Sequence, residues 1–171
     1  QSAAMLKAAR ARTASCGNVE LRRGSLAELP IEDATCDAAL LVLALSYVAD
    51  ATPVLAEMAR ILKPGGRAVV LDVLRHDRED FQRAMGQVVP GFEADELGER
   101  MAAAGLLEVS CRPLPPEAGA KGPALLLATS QTALAAGSVS LSKSTNIDVA
   151  GETITVSGSG FDSSGSRGIY V

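Results

Sequence analysis

Residues 52–73 constrain the fold of this chain most, because a helical pattern there leads directly into the pattern of a buried strand. Leu55, Met58 and Leu62 repeat at positions i, i+3 and i+7, the spacing of one apolar helix face. The sequence RAVVLDV that follows has the apolar and β-branched residues of a buried strand. We predict a helix from about Pro53 to Leu62 and a strand immediately after it.

The predicted helix has residues suited to both of its ends. Thr52 is placed to accept a hydrogen bond as N-cap, and Pro53 suits the first helical position, where no backbone donor is needed. Pro64 prevents the helix from continuing, and Gly65 and Gly66 can adopt the positive φ that turns the chain back.

A second strand pattern precedes this helix. The sequence CDAALLVLAL, residues 36–45, is a continuous apolar run of strand length, typical of a strand buried on both faces of a parallel sheet. Strand, helix and strand at this spacing form a right-handed crossover. Residues 36–74 are therefore predicted to form a parallel strand–helix–strand unit of an α/β domain.

Further elements are predicted on both sides of this unit. They are a helix in QSAAMLKAARAR (residues 1–12), a strand in NVELRRG (18–24), a helix in EADELGERMAAAG (93–105), and strands in LEVSCR (107–112) and ALLLATS (124–130). The second helix places Leu97, Met101 and Ala104 on one side, with Gly105 as the C′ residue. Residues 124–129 are expected to add an antiparallel edge to the sheet.

Composition argues against several classes of protein. The chain has 171 residues, 47% of them hydrophobic, a net charge of -4 and no extended basic stripe, so we expect no nucleic-acid binding. The apolar run AALLVLAL, residues 38–45, is too short to cross a bilayer, so no transmembrane helix is expected. The three cysteines are odd in number and far apart, which favours free thiols in a cytoplasmic protein, and we expect no metal site.

Open α/β sheets bind ligands beyond the carboxyl ends of their parallel strands. Three stretches of this chain are predicted to lie at that edge: the loop after NVELRR, the sequence LALSY (residues 43–47) and the sequence LDVLRHD (71–77). The candidate functional site is expected there.

The order and wording of these elements resemble a class I S-adenosylmethionine-dependent methyltransferase. The matching stretches are QSAAMLKAAR, VELRRGSLAELPIEDATCDAALLVLALSYVAD and VLAEMARILKPGGRAVVLDV. RHDRE and GFEADELGERMAAAGL resemble the branch that is often fused to an arsenic-repressor-type winged helix. The resemblance covers about residues 1–130. It implies a partial Rossmann-like sheet, mostly parallel with an antiparallel last strand, S-adenosylmethionine as cofactor and a small molecule as methyl acceptor.

The resemblance also implies cofactor-binding residues. Ser25 and Leu26 correspond to the adenine-contacting position, although Gly24 and Ser25 also fit an ordinary turn at the end of a strand. Val42 and Leu43 correspond to a strand end whose backbone lines the methionine moiety, and they fit a plain apolar core equally well.

Methyl transfer to a good nucleophile requires alignment more than an acid or a base. If the acceptor is a hydroxyl or an acidic carbon, His76, the only histidine, is the best placed general base. Tyr47, together with Ser46, could orient the acceptor by hydrogen bonding. The alternative is that RHDRED is a solvated loop leading into a helix, with Asp77 as the N-cap.

Two elements of the family's cofactor site have no counterpart in this sequence. In the family, a glycine-rich turn after the first strand cradles the cofactor, and a carboxylate ending the second strand binds the ribose; residue 1 corresponds to the helix after that carboxylate. Losing two charged hydrogen bonds of roughly 1.5 to 3 kcal/mol each weakens binding by roughly two to four powers of ten. We therefore expect an N-terminally truncated domain that alone binds S-adenosylmethionine weakly or not at all.

The sequence changes character after Ser130. Residues 131–171 alternate small polar and β-branched residues and break at glycines, which predicts short antiparallel strands. The segment TITVSGSGFD resembles the opening strands of immunoglobulin-like modules in exported actinobacterial proteins. We therefore predict two domains, residues 1–130 and 131–171. The functional hypotheses are a methyltransferase, or its C-terminal portion, and a non-catalytic fusion or fragment carrying part of a surface or binding module.

Overall fold

The computed structural model describes residues 3–115, 119, 122–134, 138–141 and 156–159. The chain divides into two units, residues 1–133 and residues 134–171. The elements of the first unit are, in chain order, α1 (Ala3–Thr13), β1 (Cys36–Val42), a 3-10 turn (Leu45–Tyr47), α2 (Thr52–Ile61), β2 (Leu62–Val73), α3 (Glu79–Met85), α4 (Ala94–Ala103), β3 (Leu107–Pro113) and β4 (Leu125–Gln131).

A four-stranded sheet with the order β1-β2-β4-β3 forms the centre of the first unit. β1 is parallel to β2, and Leu41 lies opposite Val70. β4 is antiparallel to both β2 and β3, and Val70 also lies opposite Ala128. The predicted strand–helix–strand unit and the antiparallel direction of β4 are confirmed. The expectation that β4 forms an edge is wrong, because β3 pairs with its outer side.

The start of α2 differs from the prediction by one residue. Ala51, with φ -77° and ψ -19°, precedes the first helical residue, and Thr52 lies inside the helix. The Asp50 carboxylate accepts the Thr52 N–H at 2.9 Å, so Asp50 supplies the acceptor expected from Thr52. The predicted extent of the helix is confirmed to within one residue at each end.

The two glycines after α2 have different roles. Gly65 has a φ of 76°, the left-handed conformation that the turn requires. A Cβ on Gly66 would lie 2.8 Å from the Lys63 carbonyl oxygen and 3.2 Å from Leu62 side-chain atoms. Gly66 therefore permits a close approach of the backbone, whereas the sequence suggested positive φ at both positions.

The apolar core lies where α2 and α4 cover the sheet. It contains fully buried side chains from several elements, including Leu45, Leu55, Val70, Leu97, Met101, Leu106 and Leu126. Gly105 ends α4 with a φ of 87°, as predicted for a C′ residue. The apolar stripes of both helices therefore face the sheet, as the periodicity indicated.

β1 is a strand, but it is not buried as predicted. Leu40 is 68% exposed and Val42 is 52% exposed, because β2 is the only described strand that pairs with β1. Edge strands with apolar side chains are uncommon in isolated domains. The apolar composition of residues 36–42 matches a sheet interior, whereas their position in the described part of the chain is an edge.

The strand predicted at residues 18–24 is not formed. No described strand lies beside it to share backbone hydrogen bonds, and Val19 is 44% exposed. An isolated bridge joins Ser25 and Glu28 immediately after this segment. A β-strand depends on a neighbour for its hydrogen bonds, and the sequence pattern alone cannot supply one.

α3 starts at Glu79, and residues 75–78 before it have no regular secondary structure, as the loop interpretation predicted. The prediction of Asp77 as N-cap is wrong, since Arg78 occupies that position and no side chain caps the helix. The three cysteines are free. Within the described residues, no helix is both long and apolar enough to span a membrane.

The second unit contains two described strands, β5 (Ser138–Leu141) and β6 (Val156–Ser159). They pair in an antiparallel arrangement, with Ser138 opposite Ser159 and Leu141 opposite Val156. Antiparallel strands were predicted for this part of the chain. Most of the segment that carries the immunoglobulin-like resemblance, TITVSGSGFD, lies outside the described residues.

Candidate functional site

A buried carboxylate joins the carboxyl ends of β1 and β2. Asp72, next to the last residue of β2, is 0% exposed. Its Oδ2 accepts the backbone N–H groups of Leu45 at 2.8 Å and Ser46 at 3.4 Å, and its Oδ1 accepts that of Val73 at 2.8 Å. Amides at the start of the 3-10 turn are thereby fixed to the neighbouring strand. Asp72 was not among the predicted site residues, although an acidic residue inside an apolar strand pattern is a usable signal.

Leu43, at the end of β1, has an unusual backbone conformation. Its φ is 50°, in the left-handed region that non-glycine residues rarely adopt, and its side chain is 46% exposed. Its N–H donates to the Leu71 carbonyl oxygen at 2.7 Å. Strained residues of this kind cluster at functional sites when neighbouring bonds hold them in place. Val42 and Leu43 are exposed rather than part of the core.

Residues 87–90 lie beside the 3-10 turn. The Ser46 carbonyl oxygen accepts the N–H groups of Val88 at 2.8 Å and Val89 at 3.2 Å. The His76 N–H donates to the Pro90 carbonyl oxygen at 3.1 Å. The loop after β2, the turn after β1 and this segment are therefore held together by backbone hydrogen bonds.

Gly91 determines the path of the chain after that segment. Its φ is 94°, and a Cβ there would lie 2.4 Å from the Val73 carbonyl oxygen. The next residue, Phe92, donates its N–H to the same oxygen at 3.0 Å. A side chain at position 91 would therefore separate this segment from the end of β2.

The environment of His76 defines which of its ring nitrogens carries hydrogen. Nδ1 accepts the backbone N–H of Arg78 at 3.1 Å, so the neutral ring carries its hydrogen on Nε2. The Phe81 ring packs against the imidazole edge-on, with 5.7 Å between ring centroids. Nε2 is buried and has no hydrogen-bond partner among the described groups. This geometry favours His76 as a hydrogen-bond donor at Nε2.

Tyr47 and Ser46 differ in exposure although they are adjacent. The Tyr47 side chain is 42% exposed, while Ser46 is 0% exposed. The Ser46 hydroxyl has no hydrogen-bond partner among the described groups. Ser46 and Tyr47 follow β1 and His76 follows β2, so all three lie near the carboxyl ends of these parallel strands, as expected from the sequence.

Ser25 and Leu26 lie in a tight turn. The Ser25 hydroxyl accepts the Ala27 N–H at 3.2 Å, and its carbonyl oxygen accepts the Glu28 N–H at 3.3 Å. Leu26 is partly buried and packs against the apolar core. The hydrogen bonds of Ser25 are those of an ordinary turn, the alternative that the sequence left open.

Leu26 also lines a groove of about 1370 Å³. The apolar part of its wall comes from α1 and from the segment before β1, including Leu6, Leu29 and Ile31. Glu20 lies in the same wall, where a hydrogen bond from Arg22 lowers the pKa of the carboxyl. The groove extends to Thr35 and Cys36 at the start of β1, whereas Val42 and Leu43 lie at the other end of that strand.

A smaller cavity of about 200 Å³ lies beside Phe92 and is lined by Arg75, Glu96 and Arg100. Burial alone would raise the pKa of Glu96, but hydrogen bonds from Arg75 and Arg100 outweigh burial and lower it. Glu93 also pairs with Arg75 at 3.4 Å. These ion pairs balance in charge, so we assign the cluster a structural role in joining α4 to the loop after β2.

Comparisons with known proteins identify the fold. Residues 1–70 match a family model described as a methyltransferase domain. The chain is 38% identical over 79 residues to a demethylmenaquinone methyltransferase of Bacillus licheniformis, covering 46% of this chain and 34% of that protein. It is 43% identical over 68 residues to the demethylmenaquinone methyltransferase of Staphylococcus aureus, covering 40% of this chain and 28% of that protein. The chain thus spans about a third or less of the curated relatives it matches.

Solved structures extend the similarity across the first unit. A methyltransferase of Thermotoga maritima, described as S-adenosylmethionine-dependent and a possible histamine N-methyltransferase, has a TM-score of 0.60 at 27% identity, covering 77% of this chain and 70% of that one. Geranyl diphosphate methyltransferase in complex with S-adenosylmethionine has a TM-score of 0.63 at 20% identity, covering 76% and 65%. Residues 1–70 therefore match a methyltransferase domain, the four-stranded unit has the Rossmann-like fold of class I methyltransferases, and these matches support S-adenosylmethionine as the cofactor.

Proposed function

We propose that this chain contributes to methyl transfer from S-adenosylmethionine to a small-molecule acceptor. The observation that carries the proposal is the joining of the β1 and β2 carboxyl ends by Asp72 in a chain whose first 70 residues match a methyltransferase domain. Ligands of open α/β sheets bind at this edge. The residues at this edge hold and orient the cofactor and the acceptor. None of them has to form a covalent bond to either ligand.

The two ends of the cofactor are assigned to two parts of the surface. We assign Leu26 to the adenine ring and the exposed end of β1, at Val42 and Leu43, to the methionine end. S-adenosylmethionine, when bound, supplies an electrophilic methyl group on a positively charged sulfur. Asp72 keeps the neighbouring turn in place, so that Tyr47 can orient an acceptor beside that methyl group.

The acceptor is proposed to be a small molecule, and no nucleic-acid partner is proposed. The curated relatives include demethylmenaquinone methyltransferases, and the structural neighbours include a geranyl diphosphate methyltransferase. These names cover chemically different acceptors, so they support the reaction type more than any one substrate. Three free cysteines are consistent with a cytoplasmic protein, which we also propose.

Two further parts of the sequence resemblance belong to the proposal. These are membership of the branch fused to winged helices and an immunoglobulin-like nature of residues 131–171. The antiparallel pairing of β5 and β6 is the type of pairing that such a module uses.

A non-catalytic role is the second candidate. The observation that favours it is the exposure of Leu40, Val42 and Leu43, which leaves the proposed cofactor surface open along β1 in the described part of the chain. An open surface binds a small ligand weakly because it removes less of the ligand's surface from water. The chain alone is therefore expected to bind S-adenosylmethionine weakly, in the millimolar range.

Nuclear magnetic resonance titration of the isotope-labelled chain tests the proposed function. S-adenosylmethionine at millimolar concentration should shift the backbone signals of Leu26, Val42 and Leu43. Adenosine, which lacks the sulfonium and the methionine, should shift Leu26 but leave Leu43 unchanged. Shifts confined to residues outside this edge, or no shift with either compound, would overturn the proposal and favour the non-catalytic role.

A further inference from the structure

Three buried polar atoms near the carboxyl ends of β1 and β2 have no hydrogen-bond partner among the described groups. Ser46 Oγ, His76 Nε2 and Gln87 Oε1 are three of four such side-chain atoms in the described part of the chain, and the fourth is Ser130 Oγ in β4. Leaving a buried polar atom unpaired is unfavourable, so such atoms in folded proteins require an explanation. Three of them in one region point to a ligand.

The backbone brings the three residues into one region. Val88 and Val89, which follow Gln87, donate their N–H groups to the Ser46 carbonyl oxygen. His76 donates its own N–H to Pro90, three residues after Gln87. Segment 87–90 is therefore bonded on one side to the turn after β1 and on the other to the loop after β2.

The hydrogen-bonding capacities of the three side chains differ. His76 Nε2 carries hydrogen in the neutral ring, because Nδ1 accepts the Arg78 N–H, so Nε2 is a donor. The Gln87 Oε1 atom is an acceptor, and the Ser46 hydroxyl can donate or accept. The site therefore offers one fixed donor, one fixed acceptor and one adaptable group.

We propose that Ser46, His76 and Gln87 form a subsite for a neutral hydroxyl group of the methyl acceptor, an inference that rests on the proposed function. A hydroxyl accepts two hydrogen bonds, here from His76 Nε2 and Ser46 Oγ, and donates one, here to Gln87 Oε1. A carboxylate has no hydrogen for Gln87. An ammonium group has no lone pair for His76. The hydroxyl alone among these groups satisfies all three atoms.

The subsite recognises the hydroxyl and does not activate it. The hydrogen of the hydroxyl points to an amide oxygen, which is too weak a base to remove it. The methyl group therefore goes to a different atom of the acceptor, and the hydroxyl is retained in the product. The substrate class is a hydroxylated small molecule whose nucleophile is another atom.

Access to the subsite depends on α3 and the residues after it. α3 has no buried residue, and Met85 and Val88 are 50% and 54% exposed. Moving such an element exposes little additional apolar surface, so it is inexpensive in free energy. The short helix can therefore shift to admit a ligand while α2, α4 and the sheet stay in place.

The test uses phenol and anisole as probes of the 171-residue chain. His76 is the only histidine, so its ring nitrogen signals are assigned without ambiguity. In the free chain they should show hydrogen on Nε2. Millimolar phenol should shift the Nε2 signal and the Gln87 side-chain signals, whereas anisole, whose ether oxygen has no hydrogen, should bind about tenfold more weakly.

Two alanine variants provide the control. Ser46→Ala should weaken phenol binding by about tenfold, whereas Ser130→Ala, which removes the unpartnered hydroxyl remote from the subsite, should leave it unchanged. Neither variant should lower the thermal unfolding midpoint, because neither hydroxyl has a hydrogen-bond partner in the part of the chain that the structure describes. The inference would be overturned by equal binding of phenol and anisole, or by hydrogen on Nδ1 of His76. It would also be overturned by a lowered midpoint for Ser46→Ala alone, which would indicate a structural water. Because these probes do not involve S-adenosylmethionine, their failure is distinguishable from failure of the proposed function.

Discussion

The carboxylate of Asp72 accepts the backbone N–H of Leu45 across 27 positions of sequence, at 2.8 Å and without access to solvent. This bond joins the end of β2 to the turn that follows β1. The positions of Ser46 and Tyr47 therefore depend on a side chain from the neighbouring strand.

Replacing Asp72 with asparagine should destabilise the fold. The amide group offers a single acceptor oxygen in place of two and directs an NH₂ group at a backbone donor. We expect the free energy of unfolding in urea to fall by about 2 kcal/mol. Asp37→Asn is the control: the Asp37 side chain is 86% exposed and pairs with Lys63 at a strand end, so its loss should change stability by less than about 0.5 kcal/mol. Equal effects of the two substitutions would contradict the role given to Asp72.

Glycine should be tolerated at Leu43 but not at Leu40. Leu43 has a φ of 50°, which glycine adopts without strain, so Leu43→Gly should not reduce the free energy of unfolding. Leu40 lies inside β1, and its side chain is also exposed. Leu40→Gly should reduce the free energy of unfolding by about 1 kcal/mol. Urea unfolding of both variants measures the difference. A larger loss at position 43 would show that its conformation is not strained.

Alanine at Gly91 should be strongly destabilising. The added Cβ would lie 2.4 Å from a backbone oxygen of Val73, and the φ of 94° is unfavourable for alanine. We expect a loss of about 3 kcal/mol or more. Gly86 also has a positive φ, 69°, but a Cβ there would meet nothing within 4 Å. Gly86→Ala should therefore reduce the free energy of unfolding by only about 1 kcal/mol. Similar losses in thermal unfolding would indicate that conformation, and not close approach, governs position 91.

Glu57 should make stability depend on pH in the acid range. A hydrogen bond from Arg60, followed by one from the Leu29 N–H, lowers the pKa of Glu57 from 4.5 to about 2. Because the unfolded chain binds this proton more readily, the stabilisation is complete above pH 4.5 and is lost as pH falls towards about 2. Glu57→Gln should flatten this part of the stability curve.

The control for Glu57 is Asp80→Asn, which removes a 99% exposed carboxylate paired with Arg83. Urea unfolding measured at a series of acid pH values should show an unchanged slope for this variant and a reduced slope for Glu57→Gln. Loss of the Glu57 carboxylate should also loosen Leu29, which lines the groove beside Leu26. A Glu57→Gln variant with the slope of the parent chain would disprove the assigned ion pair.

The strand–helix–strand unit was predictable because its signals are local. The apolar spacing of α2, the Pro-Gly turn after it and the apolar run of β2 lie within about two dozen consecutive residues. The carboxyl ends of β1 and β2 followed from that unit, and with them the grouping of Ser46, Tyr47 and His76. The extent of α2 and the parallel direction of β1 and β2 are the parts of the prediction that the structure confirms.

The features that the sequence did not predict depend on partners distant in the chain. The acceptor for the Thr52 N–H at the start of α2 comes from Asp50, because side-chain direction, and not residue type alone, decides which oxygen reaches the amide. Residues 18–24 have strand propensity but no described neighbour to pair with. Gln87 gave no signal at all, because its relation to Ser46 exists only through backbone bonds of the folded chain.

The central claim is that the exposed end of β1 forms part of a cofactor site that is open on one side. Isothermal titration calorimetry of S-adenosylmethionine into the 171-residue chain tests this claim most directly. We predict millimolar binding that Leu43→Ala weakens about fivefold through lost apolar contact and that Leu107→Ala, an equally exposed leucine in β3, leaves unchanged. Micromolar binding, or equal binding by the two variants, would contradict the account.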